Sequence, residues 1–335
     1  MKKIVFFSDA IGAAFNCIAI AQECQKYNFK CYFIADHSFK GFFAKYGFEE
    51  CLVNIHGLDY QKSPSHEWID YINRHLSTFR LSTFEQIEAY VAPLFDKIIS
   101  CVINSHSEIK SAVDKIKPDL ICIDDVVSSP ALTKSSCPWV RIISCNEGEI
   151  SDPLIPPRFS GYGKHNRKDW KNYSKEFRKC FHPVYKKLNY FLTEHNFPTL
   201  PYDILFEVSP YMNFFIFPKA IAYKRRNILD PNNFCYLNGC IRQETPYQLP
   251  NFKNNNKDKL IYISHGSMGS GDINFIKNQI TALSNQNCRV LVNVGENISS
   301  YTNLSENIII SQNLPQPQVI SVNGRAIMRH VKVVH

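Results

Sequence analysis

Short apolar runs alternate with stretches of helical periodicity through the first half of the chain. Residues 3–7, 30–35 and 51–53 read as strands, each running out into polar or small residues. Between them, residues 17–27 place Ile18, Ala21 and Cys24 on one helix face, and 38–45 fit a short helix. This β-α-β-α-β alternation predicts a parallel sheet covered by helices. The first connection, residues 8–16, reads as a loop containing Gly12. Two helical stretches follow, 67–79 and 83–116, the second expected to bend near Pro93. Residues 120–123 form a strand that ends in Asp124 and Asp125, and 138–144 form another. A proline-containing loop over 152–163 leads to an amphipathic helical region, 170–195, predicted to break near Pro183. Strands are expected at 213–217 and 233–237. Ligands in open α/β sheets bind beyond the carboxyl ends of strands, so the Gly12 loop and the Asp124/Asp125 corner are expected to face one crevice.

Residues 244–258 break the pattern. Pro246 and Pro250 precede an Asn-Asn-Asn-Lys-Asp run with little to bury, which is linker composition. The reading is therefore an N-terminal unit over 1–243, a linker over 244–258 and a second α/β unit over 259–335. That unit opens with a strand at 260–263, then a loop holding Gly266, Gly269 and Gly271 with Ser264, Ser267 and Ser270. A helix over 273–284 and strands at 289–294 and 308–310 follow. Strand, glycine-rich turn and helix present backbone N–H groups to a phosphate, and the helix N-terminus adds partial positive charge.

Composition narrows the classes. With 335 residues, 44% hydrophobic and 13% aromatic, the chain can bury ordinary cores, and two domains are expected. A formal charge of +8, with no long Lys/Arg run, argues against nucleic-acid binding but suits a phosphate-bearing ligand. The twelve cysteines form no C-x-x-C pair and no zinc-ligand spacing, which reads as reduced thiols in a cytoplasmic protein. No apolar run approaches the ~20 residues of a membrane span, and polar residues interrupt the one stretch resembling a signal peptide. The basic face of 170–195 (Lys171, Lys175, Arg178, Lys179, Lys186, Lys187) reads first as a solvated surface and second as an anion-attracting rim.

Several segments, taken in order, resemble family 1 UDP-glycosyltransferases. They are Asp9-Ala-Ile-Gly12 with Asn16-Cys-Ile, Pro118-Asp-Leu-Ile-Cys-Ile-Asp124, Pro138-Trp-Val-Arg-Ile-Ile-Ser144 and Asp152-Pro-Leu-Ile-Pro-Pro157. Leu229-Asp-Pro231, Tyr236-Leu-Asn-Gly-Cys240, Ile261-Tyr-Ile-Ser-His-Gly-Ser-Met-Gly-Ser270 and Leu314-Pro-Gln316 complete the set. The likeness covers about residues 3–320 and is greatest to members without a membrane anchor, as known from mites and bacteria. It implies a GT-B fold, two Rossmann-like domains with parallel sheets. It also implies inverting transfer of a hexose from a UDP-sugar to a small lipophilic acceptor, without a metal or a bound cofactor. By the same resemblance, Gly266, Ser267 and Met268 meet the donor phosphates, and Leu314 and Gln316 hold the nucleoside. Gly12 and Phe15 face the acceptor, and Asp124 is the carboxylate that orients a histidine base.

Two departures qualify that picture. The expected Asp-Ala-Ile-Gly-His reads Asp9-Ala10-Ile11-Gly12-Ala13, so the base position holds a residue with no titratable proton. His37, His56 and His106 lie off that loop and read as ordinary surface histidines. After Ile320 the expected His-Gly-Gly loop and Asp-Gln pair are replaced by an unrelated stretch from about Ser321. The second domain therefore reads as incomplete, and His330 and His335 match the family only by chance. The inherited activity is expected to be impaired or absent. The competing function is a non-catalytic binder of small lipophilic molecules, consistent with 24 Phe and 17 Tyr. A nicotinamide oxidoreductase fits poorly, because the glycine spacing of 266–271 is wrong for a dinucleotide fingerprint.

Overall fold

Seven parallel strands form the main sheet in this computed structural model, which describes residues 1–56, 66–202, 204–205, 207–253 and 259–322. The strands are β1 (Lys3–Phe7), β2 (Lys30–Asp36), β3 (Glu49–Val53), β4 (Leu120–Ile123), β5 (Trp139–Ile143), β6 (Met212–Phe215) and β7 (Phe234–Tyr236). Their order is β3-β2-β1-β4-β5-β6-β7. The helices joining them are α1 (Ile11–Lys26), α2 (His66–His75), α3 (Thr83–Gln86), α4 (Ala92–Asn104), α5 (His106–Ile116), α6 (Pro130–Thr133) and α7 (Trp170–Glu194). The chain divides into two compact units, with the boundary after Cys240 and α2 grouped with the second.

Buried residues lie on both faces of this sheet, as a parallel sheet requires. On one face Phe6, Phe33, Phe43 and Phe48 pack with Ile18 and Ala21 of α1, and the Phe33 and Phe43 rings stack at 4.1 Å. On the other, Val5, Ile34, Ile121 and Trp139 pack against Ile109, Val113 and Ile116 of α5. Burying one such side chain contributes about 1.5–3 kcal/mol.

The elements depart from the sequence pattern in instructive ways. Helix α1 begins at Ile11, so the expected loop over 8–16 already contains more than a helical turn. Its first bond runs from Ala14 N–H to the Ala10 carbonyl at 2.8 Å. Alanines at 13 and 14 favour that early start. The expected short helix at 38–45 is two 3-10 turns, His37–Phe39 and Ala44–Tyr46. The long helix over 83–116 is divided: a π turn, Ile87–Val91, precedes Pro93, and the chain breaks at Ser105. Proline cannot donate to the helix ladder, and the register relaxes just ahead of it. Pro183, in contrast, does not break α7, which is continuous. Pro183 is exposed, so the carbonyl it leaves unbonded is on the solvent side.

The second unit holds a parallel sheet of order β10-β9-β8, formed by β8 (Leu260–Ser264), β9 (Arg289–Asn293) and β10 (Ile308–Ser311). Its helices are α8 (Gly266–Gly269), α9 (Ile273–Leu283) and α10 (Gln316–Val322). Ile276 and Ile280 of α9 pack with Val290, Val292 and Ile308 on one face. On the other face, Phe252 is buried with Tyr262, Leu291 and Val319, and Tyr247 and Leu249 pack against them. Part of the stretch read as linker therefore belongs to this core. The rest of it, 254–258, and the divergent tail with His330 and His335 lie outside the described residues. No helix among the described residues is long and apolar enough to cross a membrane.

Candidate active site

Polar residues gather just beyond the carboxyl ends of β1, β3 and β4. Strand β1 ends at Phe7, and Ser8, Asp9 and Ala10 bridge it to α1. Strand β4 lies beside β1, with the Asp124 N–H donating to the Phe7 carbonyl at 3.0 Å. The start of α1 and the Asp124/Asp125 corner therefore follow neighbouring strands at one edge of the sheet.

Asp124 is buried. Ser144 Oγ, just past β5, donates to its Oδ1 at 2.7 Å. Its Oδ2 is fully buried and takes no hydrogen bond of good geometry from any described residue. Burial pushes the Asp124 carboxyl up to about 7, helped by the Glu149 charge and opposed by Ser144, Asn16 and Arg141. Asn16 stands on α1, and residues three apart on a helix share a face. Ala13 lies one turn earlier on that face, half-buried, and offers only a methyl group. Asp125 is pushed up to about 8 by burial and by the Asp9 charge, against the Val126 N–H that donates to its Oδ1 at 2.6 Å.

The histidines are not the surface residues that the sequence suggests. His56 Nε2 lies 2.8 Å from Asp9 Oδ1, and its Nδ1 lies 3.4 Å from Cys101 Sγ on α4. The His56 side chain is only 10% exposed. Burial pulls this imidazole down, but the Asp9 carboxylate and the hydrogen bonds outweigh it and push it up to about 11. The Asp9 carboxyl thus favours the charged imidazole, and both ring nitrogens are engaged, Nε2 with Asp9 and Nδ1 with Cys101. Asp36 fixes its backbone, accepting from Ile55 N–H at 2.9 Å and His56 N–H at 3.3 Å. His106 is buried against the rings of Phe191, His195 and Phe197, and burial holds it below its ordinary value. His37 is half-buried in a 3-10 turn.

Arg141 organises the loops around Asp124. It lies 1% exposed on β5, donating to Glu149 Oε2 at 2.9 Å and to the carbonyls of Asp125 at 3.0 Å and Glu207 at 2.7 Å. Sequence reasoning passed over it inside an apolar run. A charge in the middle of a strand with four apolar neighbours, Trp139, Val140, Ile142 and Ile143, was the available signal.

The predicted acceptor residues differ in character. Gly12 is exposed, and a side chain there would meet nothing within 4 Å, so nothing in the chain itself demands glycine. Phe15 is half-buried and packs on Phe42, with ring centroids 5.3 Å apart.

In the second unit the glycine-rich stretch is not a plain loop. Gly266 adopts φ +68°, a conformation that favours glycine, and one helical turn, α8, follows. Gly269 and Ser270 N–H groups close that turn on the carbonyls of His265 and Gly266. The N–H groups of Gly266 and Ser267 take no backbone acceptor among the described residues, as a first helical turn dictates. His265 is buried and holds Gln279 of α9 at 2.6 Å. Asp272 caps α9 by accepting from Phe275 N–H at 3.1 Å. Gln316 is the first residue of α10, and the Leu314 side chain is part of the core. The Ser267 and Gln316 segments follow β8 and β10, on the same sheet edge with β9 between them, about 10 Å apart at the usual strand spacing.

No family model matches the sequence, and no curated protein matches it significantly. Solved structures do match the fold. The glycosyltransferase of kitacinnamycin superposes with a TM-score of 0.60 at 11% identity, over 95% of this chain and 73% of that one. CalG4, the calicheamicin glycosyltransferase, gives 0.56 at 14% identity, over 97% and 74%. SsfS6 from Streptomyces sp. SF2575, complexed with thymidine diphosphate, gives 0.56 at 12%, over 96% and 74%. Likeness at this identity establishes the architecture: the chain has a GT-B fold.

The raised Asp124 value has a measurable consequence. The folded carboxyl keeps its proton up to about pH 7, while the unfolded chain releases it near 3.8, so folding takes up a proton between those values. This group's contribution to stability therefore falls as pH rises through that window. Asp124→Asn is expected to be more stable than the parent above pH 7, by on the order of 2–4 kcal/mol. The difference should shrink towards nothing near pH 4, and urea unfolding of both chains across this range reads it directly.

Proposed function

We propose that the chain is a glycosyltransferase scaffold that takes a UDP-sugar donor and a small lipophilic acceptor, with its acceptor base lost at Ala13. The observation that carries this reading is the Asp124 carboxylate, whose buried Oδ2 lacks a partner beside the α1 face holding Ala13. An imidazole at position 13 would give that oxygen an N–H and turn its other nitrogen to an acceptor hydroxyl. A carboxylate that orients a histidine and stabilises its cation is the arrangement general-base catalysis requires. In the second unit, the N–H groups of Gly266, Ser267 and Met268 would meet the phosphates, and Gln316 with the Leu314 backbone the nucleoside. The reading invokes no metal, since backbone amides would meet the donor charge.

The same observation supports a second reading, a non-catalytic binder of small lipophilic molecules. Removing a base leaves acceptor binding intact but typically costs about 10²–10⁴-fold in rate. Assays of the purified chain with UDP-glucose and a panel of phenols separate the readings. Slow, UDP-dependent glucosylation supports the impaired transferase. Phenol binding with neither UDP binding nor turnover favours the binder. Turnover at rates typical of the fold's enzymes, about 1–10³ s⁻¹, would refute loss of the base.

A further inference from the structure

The basic face of α7 is not wholly a solvated surface. Lys171, Ser174 and Arg178, at positions i, i+3 and i+7 of one stripe, form a wall of a cleft of about 440 Å³. That volume lies within the range of small-molecule sites. The opposite wall is the loop that follows β5, with Ile155, Pro156 and Pro157 supplying apolar surface and Arg158 a third cation.

We infer that this cleft binds a lipophilic organic anion, a molecule with a flat apolar body and one carboxylate. Four observations converge. The first is charge. Three cations line the cleft, and its one lining carboxylate, Asp152, is turned to other work. Asp152 accepts backbone N–H groups from Leu154, Arg226 and Asn227 at 2.8–3.1 Å, which hold it below its ordinary value despite burial. The second is an unmet donor: Trp170 Nε1 is buried with no hydrogen-bond partner among the described residues. Trp170 lines the cleft, so a modest turn of its ring would present that donor to a ligand oxygen. The third is the apolar body of the site, Trp170 with its proline and isoleucine neighbours, which a hydrated inorganic ion would leave unused.

The fourth is rigidity. Glu147, at the start of the loop, is 6% exposed and accepts from the Tyr223 N–H at 2.8 Å, Arg225 Nε at 3.3 Å and the Tyr236 hydroxyl at 3.1 Å. Arg225 also donates to the Ile150 carbonyl at 2.8 Å. The Arg158 guanidinium lies 6.0 Å from the Phe177 ring centroid, and that of Arg167 lies 5.3 Å from the Trp170 ring centroid. A preformed wall lowers the ordering cost of binding.

Calorimetric titration of the full chain with 4-biphenylcarboxylate, 4-biphenylmethanol and inorganic phosphate tests the inference, and it does not depend on glycosyl transfer. The carboxylate is expected to bind at least about tenfold more tightly than the alcohol, and phosphate not to compete. Lys171→Gln with Arg178→Gln should abolish that preference. Both side chains are exposed, so the fold should survive, as far-UV dichroism will check. Trp170→Phe should weaken both ligands, the carboxylate more, because a charged acceptor makes the stronger hydrogen bond. Equal affinity for acid and alcohol, a preference that survives the double substitution, or full competition by phosphate would each overturn the assignment.

Discussion

Ala13→His should raise glucosyl transfer to phenols by about 10²–10⁴-fold over the parent chain, the usual worth of a placed general base. The substitution adds an imidazole to the half-buried first turn of α1, on the face whose Asn16 acts on Asp124. On the proposed reading it would offer an N–H to Asp124 Oδ2, which takes no hydrogen bond of good geometry among the described residues. Imidazole beside a carboxylate is held as a cation more readily, and it in turn favours the ionised carboxylate. The gain should therefore vanish when Asp124→Ala is added, although that change leaves the new histidine in place. The rate of Ala13→His should also rise with pH as the imidazole loses its proton. His56 cannot substitute for this residue: its two ring nitrogens are held by Asp9 and Cys101. Initial rates of the four chains, parent, each single and the double, measured side by side, check the expectation.

Arg141→Leu should destabilise the chain by about 3–5 kcal/mol, the usual cost of leaving one member of a buried ion pair alone. Three acceptors would lose their donor at once: Glu149 Oε2 and the carbonyls of Asp125 and Glu207. Among the described residues Glu149 would keep the Asn146 N–H, at 3.1 Å, and the more distant Arg158 charge, in a site where it is 8% exposed. The loss belongs to the uncompensated carboxylate more than to the bond itself. Adding Glu149→Leu to Arg141→Leu should therefore recover part of the stability, a sign that simple loss of packing would not produce. Urea unfolding of the single and double variants distinguishes the two. The same substitution removes a charge that lowers Asp124, so the carboxyl at the site should hold its proton to higher pH.

The strands were legible because each is a short apolar run bounded by polar or small residues. β1, β2, β4, β8 and β9 all fall within one residue of their expected ends. The place of Asp124 at the carboxyl edge of the sheet was legible for the same reason, since it is the first residue after β4. What escaped the pattern involves groups distant in sequence. Nothing local to Asp9 reveals that His56 neutralises it, because the pairing spans 47 residues and arises from the sheet order β3-β2-β1. The useful signal was positional: His56 closely follows β3 just as Asp9 closely follows β1, so both stand at the same carboxyl edge. Proline misled in one direction and helped in the other. Pro93 coincides with a real change of helix register, but Pro183 faces solvent and is absorbed within α7. The start of α1 was missed because polar residues and Gly12 were read as a loop, whereas Gly12 takes no glycine-specific conformation.

On the proposed reading, position 13 is where a proton-accepting side chain would complete the site around Asp124. Rescue by free imidazole tests it most directly. UDP-dependent transfer by the parent chain should accelerate as imidazole is added, saturate, and follow the neutral form of imidazole as pH is varied, while Ala13→His should be insensitive. No acceleration of the parent, or equal acceleration of both chains, would contradict it.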